Sequence, residues 1–395
     1  MKEISANLTW RQMGVRLLGE IKTRNSDKNI MALFFTRGIS LRTWDKIGNL
    51  NREIKIYNEL AGYFNKIYFF TYGNKDDLDY QKFLARNIKI FPKKWNLPSS
   101  IYSLLMPLAY RKELREANIL KTNQMDGAIS AVLAKWLYRK KLVIRCGYEW
   151  LSFLEKKRKV FLKRKAAYFL EKICYGNADK IILTSEKDKK FLEKRFRILP
   201  KKIKVIPNYI DVDLFKPQIL KKGKNRVVFI GRLSEQKNLF NLLEAINNLD
   251  VEFLIFGQGK LKEKLREKAK KIKKARIKFR ENIPNYQLPK ELDKSEIFVL
   301  PSFYEGCPKA LLEAMSCGLS CVGTNVEGIR EIIKHKENGY LCETDINSIR
   351  KAILKVLDDK KLRIKMGQNA RETILSGFSL NKILEKELGI YESLL

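Results

Sequence analysis

Short apolar runs alternate with amphipathic stretches along most of the chain. In the first half, periodicity predicts the helices Leu50–Ala61, Gly127–Tyr138 and Lys187–Phe196. Apolar runs predict strands at Ile30–Thr36, Lys66–Thr71, Asn87–Phe91, Asn118–Thr122, Leu142–Cys146, Lys180–Thr184 and Lys204–Ile206. This alternation is typical of α/β units built around a parallel sheet.

A second α/β series follows a segment rich in turn residues, Pro207–Pro217 and Lys221–Asn225. Its predicted strands are Arg226–Gly231, Val251–Phe256, Ile277–Phe279, Ile297–Pro301, Ser320–Gly323 and Gly339–Cys342. Its predicted helices are Asn238–Asn247, Pro308–Cys317, Ile329–Lys334, Asp345–Asp358, Asp359–Ser376 and Asn381–Leu394. Because 395 residues exceed one ordinary core, we expect two domains, residues 1–210 and 218–378, followed by a helix in 379–395.

Composition narrows the class of protein. A hydrophobic content of 45% and a mean hydropathy of −0.33 favour folded domains over a polytopic membrane protein. Residues 1–28 lack the apolar core of a signal peptide. The cysteines are scattered without Cys-x-x-Cys pairs, which predicts a reduced, cytoplasmic protein. They are Cys146, Cys174, Cys307, Cys317, Cys321 and Cys342.

The charge is strongly positive, with 80 Lys and Arg against 44 Asp and Glu, a net +36. Such a field favours nucleic acid, anionic lipid or phosphorylated substrates as partners. Lys260–Arg280 is interpreted as an amphipathic helix with a solvated basic face. Trp95–Tyr110 and Trp150–Cys174 combine apolar, aromatic and basic residues. Each fits either a core helix with a basic outer side or a segment lying on an anionic membrane surface.

The most informative segment contains two carboxylates, Glu305 and Glu313, separated by a Gly-x-Pro turn. We expect Pro308 to be the first residue of a helix, since its fixed φ suits that position. Glu305 then lies in the preceding loop and Glu313 on the helix. The backbone N–H groups around Cys307–Ala310 form a candidate anion site at the helix N-terminus. The segment therefore matches a nucleotide-diphosphate sugar, with hydroxyls on either side of phosphates.

Two basic residues follow another predicted strand. Gly231 ends the strand, and Arg232 and Lys237 come just beyond it. Ligands of open α/β sheets bind at the carboxyl ends of the strands, so these cations are candidates for binding phosphate oxygens. Gly257 and Gly259 also follow a strand, but without the third glycine of a dinucleotide fingerprint. They predict a turn at the rim of the nucleotide pocket.

The remaining sequence motifs give only weak evidence for a metal site or a catalytic histidine. The Asp-x-Asp pairs at Asp77 and Asp211 have metal-compatible oxygens but lie in a polar loop and in the linker, so no metal site is expected. His335, the single histidine, lies in a predicted surface turn. A catalytic triad or histidine relay is therefore disfavoured.

Together these motifs resemble the retaining glycosyltransferases of family 4. The resemblance is strong over about residues 200–375 and weaker before that. The motifs, in the order and spacing of the family, are Pro207-Asn-Tyr-Ile-Asp-Val-Asp-Leu-Phe-Lys-Pro217, Gly231-Arg-Leu, Lys237-Asn, Phe256-Gly-Gln-Gly, Pro301-Ser-Phe-Tyr-Glu-Gly and Leu312-Glu-Ala-Met-Ser-Cys-Gly318.

The resemblance implies an α/β GT-B fold, in which two Rossmann-like domains face each other across a cleft. It also implies a metal-independent transfer that needs no cofactor besides the nucleotide-sugar donor. In its front-face mechanism the leaving phosphate takes the acceptor's proton. The predicted C-terminal helix would pack back on the N-terminal domain. From the charge and the two apolar-basic stretches we expect a lipid-linked or polysaccharide acceptor at the cytoplasmic membrane surface, as in lipopolysaccharide or glycolipid biosynthesis.

The resemblance also implies a role for each residue that matches a family motif. Arg232 and Lys237 neutralise the leaving diphosphate, Glu305 holds donor-sugar hydroxyls and Glu313 binds the ribose. Backbone amides after Gly306 meet the sugar and phosphates, and the Gly38 loop approaches the diphosphate. The donor-binding set is Gly38, Gly231, Gly257, Gly306, Cys307, Pro308, Lys309, Ala310 and Glu313.

The sequence also departs from the family. Many members carry a histidine where this chain reads Ile144-Arg-Cys-Gly-Tyr-Glu149, and the paired glycines of the first loop are reduced to Gly38. Three alternatives stay open: an epimerase, a phosphorylase, and a basic nucleic-acid-binding protein. No nucleic-acid-binding signature supports the last one, so no nucleic-acid partner is expected.

Overall fold

A computed structural model describes residues 29–147, 161–218, 220 and 222–395, with the side chains of 161–164 left out. The described chain forms two compact units. One contains the residues up to Ile206 together with Leu384–Leu395, and the other is Pro207–Ile383. The sequence-predicted domains, residues 1–210, 218–378 and 379–395, place the first change of unit a few residues later than the structure does and the second a few residues earlier.

The first unit is built on a parallel sheet with the strand order β3-β2-β1-β4-β5-β6-β7 among the described residues. The strands are β1 Ile30–Phe34, β2 Lys66–Phe70, β3 Ile88–Phe91, β4 Ile119–Thr122, β5 Lys141–Cys146, β6 Lys180–Leu183 and β7 Ile203–Val205. The helices are α1 Leu41–Lys46, α2 Leu50–Leu60, α3 Ser99–Ala109, α4 Arg111–Glu116, α5 Ala128–Tyr138, α6 Phe161–Asn177 and α7 Glu186–Phe196. All five residues of β1 are buried, as expected for a central strand covered on both faces.

The second unit repeats this architecture with the strand order β10-β9-β8-β11-β12-β13, again parallel. Its strands are β8 Arg226–Ile230, β9 Glu252–Phe256, β10 Arg276–Arg280, β11 Ile297–Leu300, β12 Ser320–Thr324 and β13 Tyr340–Cys342. Its helices are α8 Leu239–Ala245, α9 Lys262–Ala269, α10 Leu288–Asp293, α11 Lys309–Ser316, α12 Glu327–Arg330, α13 Ile346–Asp358 and α14 Lys360–Gly377. A further helix, α15 Leu380–Glu392, begins in this unit and ends in the first.

Hydrophobic patterning located nearly every strand, and the differences have local causes. Lys260–Arg280 is not one helix, because α9 ends at Ala269 and Lys274 adopts a left-handed φ of 63° before β10. Three short helices, α1, α4 and α10, have too few turns to give a periodic signal. Several helices begin where sequence rules predict; for example, Asp345 accepts a hydrogen bond from the amide of Ser348 at the start of α13.

The C-terminal part of α15 is joined to the first unit by buried charges. The Glu387 carboxylate accepts hydrogen bonds from Lys121 Nζ at 2.6 Å, Arg145 Nη1 at 2.5 Å and Tyr391 Oη at 2.6 Å. Burial raises the pKa of the Glu387 carboxyl, but the charges of Lys121 and Arg145 outweigh burial and lower this pKa to about 2. Lys121 also lies over the Tyr57 ring, with its Nζ 5.1 Å from the ring centroid.

Candidate active site

The carboxyl edge of the second unit's sheet collects most of the sequence-predicted site residues. Because β8, β9, β11 and β12 are parallel, the loops after them emerge at the same edge. Gly231 and Arg232 follow β8, Gly257 follows β9, and Glu305 lies in the loop after β11.

At this edge Lys237 and Glu305 form an ion pair between Lys237 Nζ and Glu305 Oε1. Both side chains are largely buried. Ser302 Oγ donates to Glu305 Oε1 at 2.6 Å, and Gln236 Nε2 lies 3.4 Å from Glu305 Oε2. The carboxylate is thus held in a fixed position by three side chains from two loops, which is the rigidity that a substrate-orienting group requires.

The loop before α8 fixes the lysine of this pair. Gln236 Nε2 donates to the Tyr304 carbonyl at 2.8 Å, and the Phe303 amide donates to the Gln236 carbonyl at 2.9 Å. Asn238 adopts a left-handed φ of 52°, and its Nδ2 donates to the Thr344 carbonyl at 2.8 Å. The two loops that carry Lys237 and Glu305 are therefore bonded to each other through main chain as well as side chains.

Arg232 differs from Lys237. Its side chain is exposed, and no carboxylate or carbonyl within the described ranges pairs with it. Its five N–H donors are therefore available to a planar, bidentate anion such as a phosphate.

Glu313 lies on α11 and is almost fully buried, at 2% exposure. Asn285 Nδ2 donates to Glu313 Oε1 at 2.9 Å from a short 3₁₀ helix, Asn285–Gln287. Asn285 is itself buried. The structure thus places Glu313 beneath the segment that follows β10, and no sequence motif pointed to Asn285.

The loop that joins Glu305 to α11 is fixed from both sides. Asn208 Nδ2 donates to the Cys307 carbonyl at 2.8 Å. A Cβ on Gly328 of α12 would lie 2.0 Å from the Gly306 carbonyl oxygen, so only glycine permits this approach. The helix begins at Lys309, with Pro308 in extended conformation at the N-cap. The expectation that Pro308 is the first helical residue was therefore wrong by one position, and Lys309 and Ala310 begin the first turn.

The glycines after the strands allow close backbone packing. A Cβ on Gly257 would lie 1.9 Å from the Gly231 carbonyl oxygen, and one on Gly259 would lie 2.2 Å from that of Leu233. The turn after β9 therefore packs directly on the Gly231–Leu233 segment. This close packing requires glycine at position 257 independently of any ligand contact.

In the first unit, Gly38 lies in a tight loop after β1 and adopts a left-handed φ of 78°. No atom lies closer than 3.9 Å to the position of a Cβ on it. The fully buried Asp77 carboxylate holds the residues that follow, accepting from the amides of Leu41 at 3.3 Å and Arg42 at 3.1 Å. One aspartate of the Asp77 motif thus stabilises the Gly38 loop.

The remaining sequence-level candidates have local structural contacts. Asp211 Oδ1 accepts from the Leu214 amide at 3.2 Å, and exposed His335 accepts at Nδ1 from the Leu341 amide at 3.0 Å. Among the described residues, no cluster of His, Cys, Asp or Glu could hold a metal ion. Arg145, in the strand-end segment where the family resemblance implies a histidine, binds Glu387, and Tyr148 and Glu149 lie outside the described residues.

Family models match both halves of the chain. The model described as "Glycosyl transferases group 1" matches residues 211–373, and "Glycosyltransferase Family 4" matches residues 56–214. Each match covers one of the two series of α/β units, including the segment in which the sequence resemblance was weaker.

Two curated relatives extend this similarity. The chain is 32% identical to the UDP-Gal:alpha-D-GlcNAc-diphosphoundecaprenol alpha-1,3-galactosyltransferase of Escherichia coli, over 78% of this chain and 81% of the relative. It is 28% identical to a Campylobacter jejuni alpha-1,4-N-acetyl-D-galactosaminyltransferase whose name specifies a GalNAc-GalNAc-diNAcBac-PP-undecaprenol acceptor, over 60% of this chain and 67% of the relative.

Solved structures share the fold. HepE from Anabaena, in complex with UDP and glucose, superposes with a TM-score of 0.73 at 16% identity, covering 93% of this chain and 100% of that one. Sucrose-phosphate synthase from Thermosynechococcus elongatus superposes with a TM-score of 0.72 at 17% identity, covering 93% and 99%. At these identities the likeness establishes the two-domain GT-B fold and nothing more.

Proposed function

The chain belongs to the group 1, family 4 glycosyltransferases, and from this premise we propose that it transfers a hexose from a UDP-sugar to a sugar carried on a polyprenyl diphosphate. The choice of uridine and of a lipid-diphosphate acceptor is supported by the E. coli relative, whose name specifies both. The expectation of a membrane-borne acceptor from the positive charge agrees with this choice. We place the reaction at the membrane surface on the cytoplasmic side.

The ion pair of Lys237 and Glu305 is the observation that carries this proposal. It joins the loops after β8 and β11 at the carboxyl edge of the sheet, beside the N-terminus of α11. Departure of a nucleoside diphosphate builds negative charge on the leaving group, which fixed cations stabilise. In the proposal Lys237 and the exposed Arg232 bind the diphosphate, and Glu305 accepts hydrogen bonds from donor-sugar hydroxyls.

The other site residues bind the rest of the donor. Glu313, oriented by Asn285, binds the ribose hydroxyls. In the proposal the positive N-terminal end of α11, around Cys307–Ala310, meets the sugar and phosphates. In the proposed retaining mechanism the leaving phosphate takes the acceptor proton, so neither a histidine base nor a metal ion is required.

The test is transfer from a UDP-sugar series to a short-chain polyprenyl-diphosphate-linked sugar. Loss of a positioned charge at the reacting group costs roughly 10²–10³-fold in rate, so Lys237→Ala and Glu305→Ala should each lower kcat/KM by about that factor. Lys355→Ala is the matched control, because Lys355 also pairs with a carboxylate, Asp359, at 3.0 Å but lies on the exposed side of α13. Unchanged kcat/KM in both site variants would refute the assignment.

Product analysis separates the alternatives. Anomeric retention in the product and full activity in EDTA are expected. An interconverted nucleotide sugar would indicate an epimerase, and a released sugar phosphate would indicate a phosphorylase. Salt-dependent binding of RNA or DNA without any nucleotide-sugar binding would indicate the nucleic-acid-binding alternative.

A further inference from the structure

Three neighbouring helices of the first unit expose an unusual amount of apolar surface. The residues concerned are each 48–59% exposed, and together they are called the apolar surface below. They are Ile101, Leu104 and Leu108 of α3, Trp136 and Leu137 of α5, and Phe169 and Ile173 of α6. Single exposed apolar residues need no explanation, but a group of this kind on adjacent elements marks an interaction surface.

Direct contacts show that these helices are adjacent. Tyr138 Oη at the end of α5 donates to the Pro107 carbonyl of α3 at 2.8 Å. On its other side, Trp136 Nε1 of α5 donates to Asn177 Oδ1 of α6 at 2.9 Å. Helix α5 therefore lies between α3 and α6, and the exposed residues continue from one helix to the next.

The spacing of the residues shows that each outer helix exposes a stripe. On α3 they recur at i, i+3 and i+7, and on α6 at i and i+4, which is one side of a helix. The opposite side of α3, with Tyr102 and Met106, is buried. Both outer helices are therefore apolar on the side that faces the protein and on part of the side that faces solvent.

Basic residues predominate around the apolar surface, although Glu113 and Glu116 lie on the adjacent α4 and Asp179 follows α6. Neither α3 nor α5 contains an acidic residue, and Glu171 of α6 is fully buried. Exposed basic residues lie on the same helices and the segments next to them. They are Lys94, Arg111, Lys112, Arg139, Lys165 and Lys172.

We infer that the apolar surface inserts into the headgroup region of an anionic bilayer, with the surrounding lysine and arginine side chains on lipid phosphates. Apolar and aromatic side chains surrounded by basic ones favour an interfacial location, and long basic side chains reach the headgroups while their stems stay on apolar surface. The net charge of +36 adds long-range attraction to an anionic leaflet. The inference rests on the proposed function, since a polyprenyl-linked acceptor is confined to the membrane.

The part of the chain that the structure describes contains no helix long and apolar enough to cross a bilayer. Attachment through side chains that lie in the interface is reversible, and its electrostatic part depends on salt. Each exposed basic side chain near an anionic leaflet contributes about 1 kcal/mol, and this contribution weakens as salt shortens the Debye length.

The experiment is co-sedimentation of the full chain with vesicles of phosphatidylglycerol and phosphatidylcholine, and with phosphatidylcholine alone. The triple variant Ile101→Ser, Leu104→Ser, Leu108→Ser removes one stripe, and the pair Phe169→Ser, Ile173→Ser removes another. We expect at least about tenfold weaker partitioning of the triple variant onto the anionic vesicles, since each side chain withdrawn from the interface costs a sizeable part of its transfer free energy. The wild type should bind phosphatidylcholine alone far more weakly and leave the anionic vesicles at high salt.

The control is the pair Ile364→Ser, Leu375→Ser, which removes similarly exposed apolar residues, 52% and 42%, from the second unit. It should partition like the wild type. Unchanged partitioning of the triple variant, or no sedimentation of the wild type with anionic vesicles, would overturn the inference. So would a dimer of the wild type that the triple variant loses while keeping its vesicle binding.

A second measurement separates this inference from the proposed function. Transfer to a water-soluble short-chain acceptor should proceed equally in the wild type and the triple variant, whereas transfer to acceptor embedded in vesicles should fall with partitioning. If no acceptor of either kind is used, the proposed function fails. If both are used equally well by the variant, the apolar surface is not the membrane contact.

Discussion

The two units each place a glutamate against a lysine, but in different settings. Glu387 in the first unit is fully buried and accepts from Lys121, Arg145 and Tyr391. Glu305 in the second lies at the carboxyl edge of its sheet, with one oxygen bonded to Lys237 and Ser302 and the other 3.4 Å from an amide. Each carboxylate has three side-chain partners, but Glu387 and Lys121 are fully buried, whereas the Lys237 and Glu305 side chains lie at the sheet edge with 15% and 7% exposure. This difference is consistent with a structural role for Glu387 and with the proposed donor-binding role of Glu305.

The largest expected effects on stability and activity come from replacing each glutamate, separately, with glutamine. Glu387→Gln leaves two buried cations without an anion, and the free energy of unfolding should fall by about 3–5 kcal/mol. Glu305→Gln should cost less stability, because it leaves one cation at the sheet edge and the neutral amide still accepts hydrogen bonds, yet it should abolish most transfer. Denaturant titration and initial rates measure both quantities. Equal losses of stability would contradict the distinction.

The dependence of stability on pH tests the structural role of Glu387. The pKa of Glu387 in the folded protein, about 2, is below its ordinary value of 4.5. Its contribution to stability is therefore complete above pH 4.5 and is lost as the pH falls towards 2. One such group gives a slope of up to roughly 1.4 kcal/mol per pH unit in that window. The melting temperature of Glu387→Gln should fall less steeply than that of the wild type between pH 5 and pH 3.

A smaller effect tests the loop that carries Glu305. In Gly328→Ala the new Cβ would meet the Gly306 carbonyl oxygen at 2.0 Å, so the loop must shift. Overpacking of this kind costs about 1–3 kcal/mol, and the donor KM should rise. Gly377→Ala is the control, because nothing lies within 4 Å of its Cβ position. Identical melting temperatures and KM values for the two variants would show that the contact is unimportant.

The smallest effect concerns Asn285. Asn285→Ala removes one hydrogen bond to Glu313, worth about 1 kcal/mol, and should raise the donor KM roughly fivefold with little change in kcat. Asn369→Ala is the comparison, since Asn369 donates at 2.8 Å to the Glu337 carbonyl on an exposed surface. A fall in kcat without a change in KM would place Glu313 elsewhere in the reaction.

Sequence patterns located the fold because parallel strands buried on both faces appear as apolar runs, as in β1 and β11. They also predicted that Glu305, Lys237 and Arg232 lie in the loops after such runs, which is where the structure has them. The roles assigned to those residues, and the glycines around them, stay predictions until the variants are measured.

The sequence could not show contacts between residues that are far apart in the chain. Lys121 lies in a strand pattern where a buried lysine is not expected, and its partner Glu387 is 266 residues away. Asn208 and Gly328 likewise contact the loop before α11, and Asn285 contacts Glu313 on α11, across intervals of 20 residues or more in the sequence. The exposed Trp136 and Leu137 were read only as part of a helix, because their exposure depends on which helices pack beside α5.

The buried position of Glu387 has a consequence for co-translational folding. Lys121 and Arg145 emerge early, but their counter-charge is made only after all of Pro207–Ile383 has been synthesised. The second unit is contiguous in sequence, so its core can form before synthesis ends. The first unit cannot form its ion pairs until Glu387 has been synthesised. A chain cut short before Glu387 would keep both cations without their anion, and we expect it to be less stable and more readily proteolysed than the full chain.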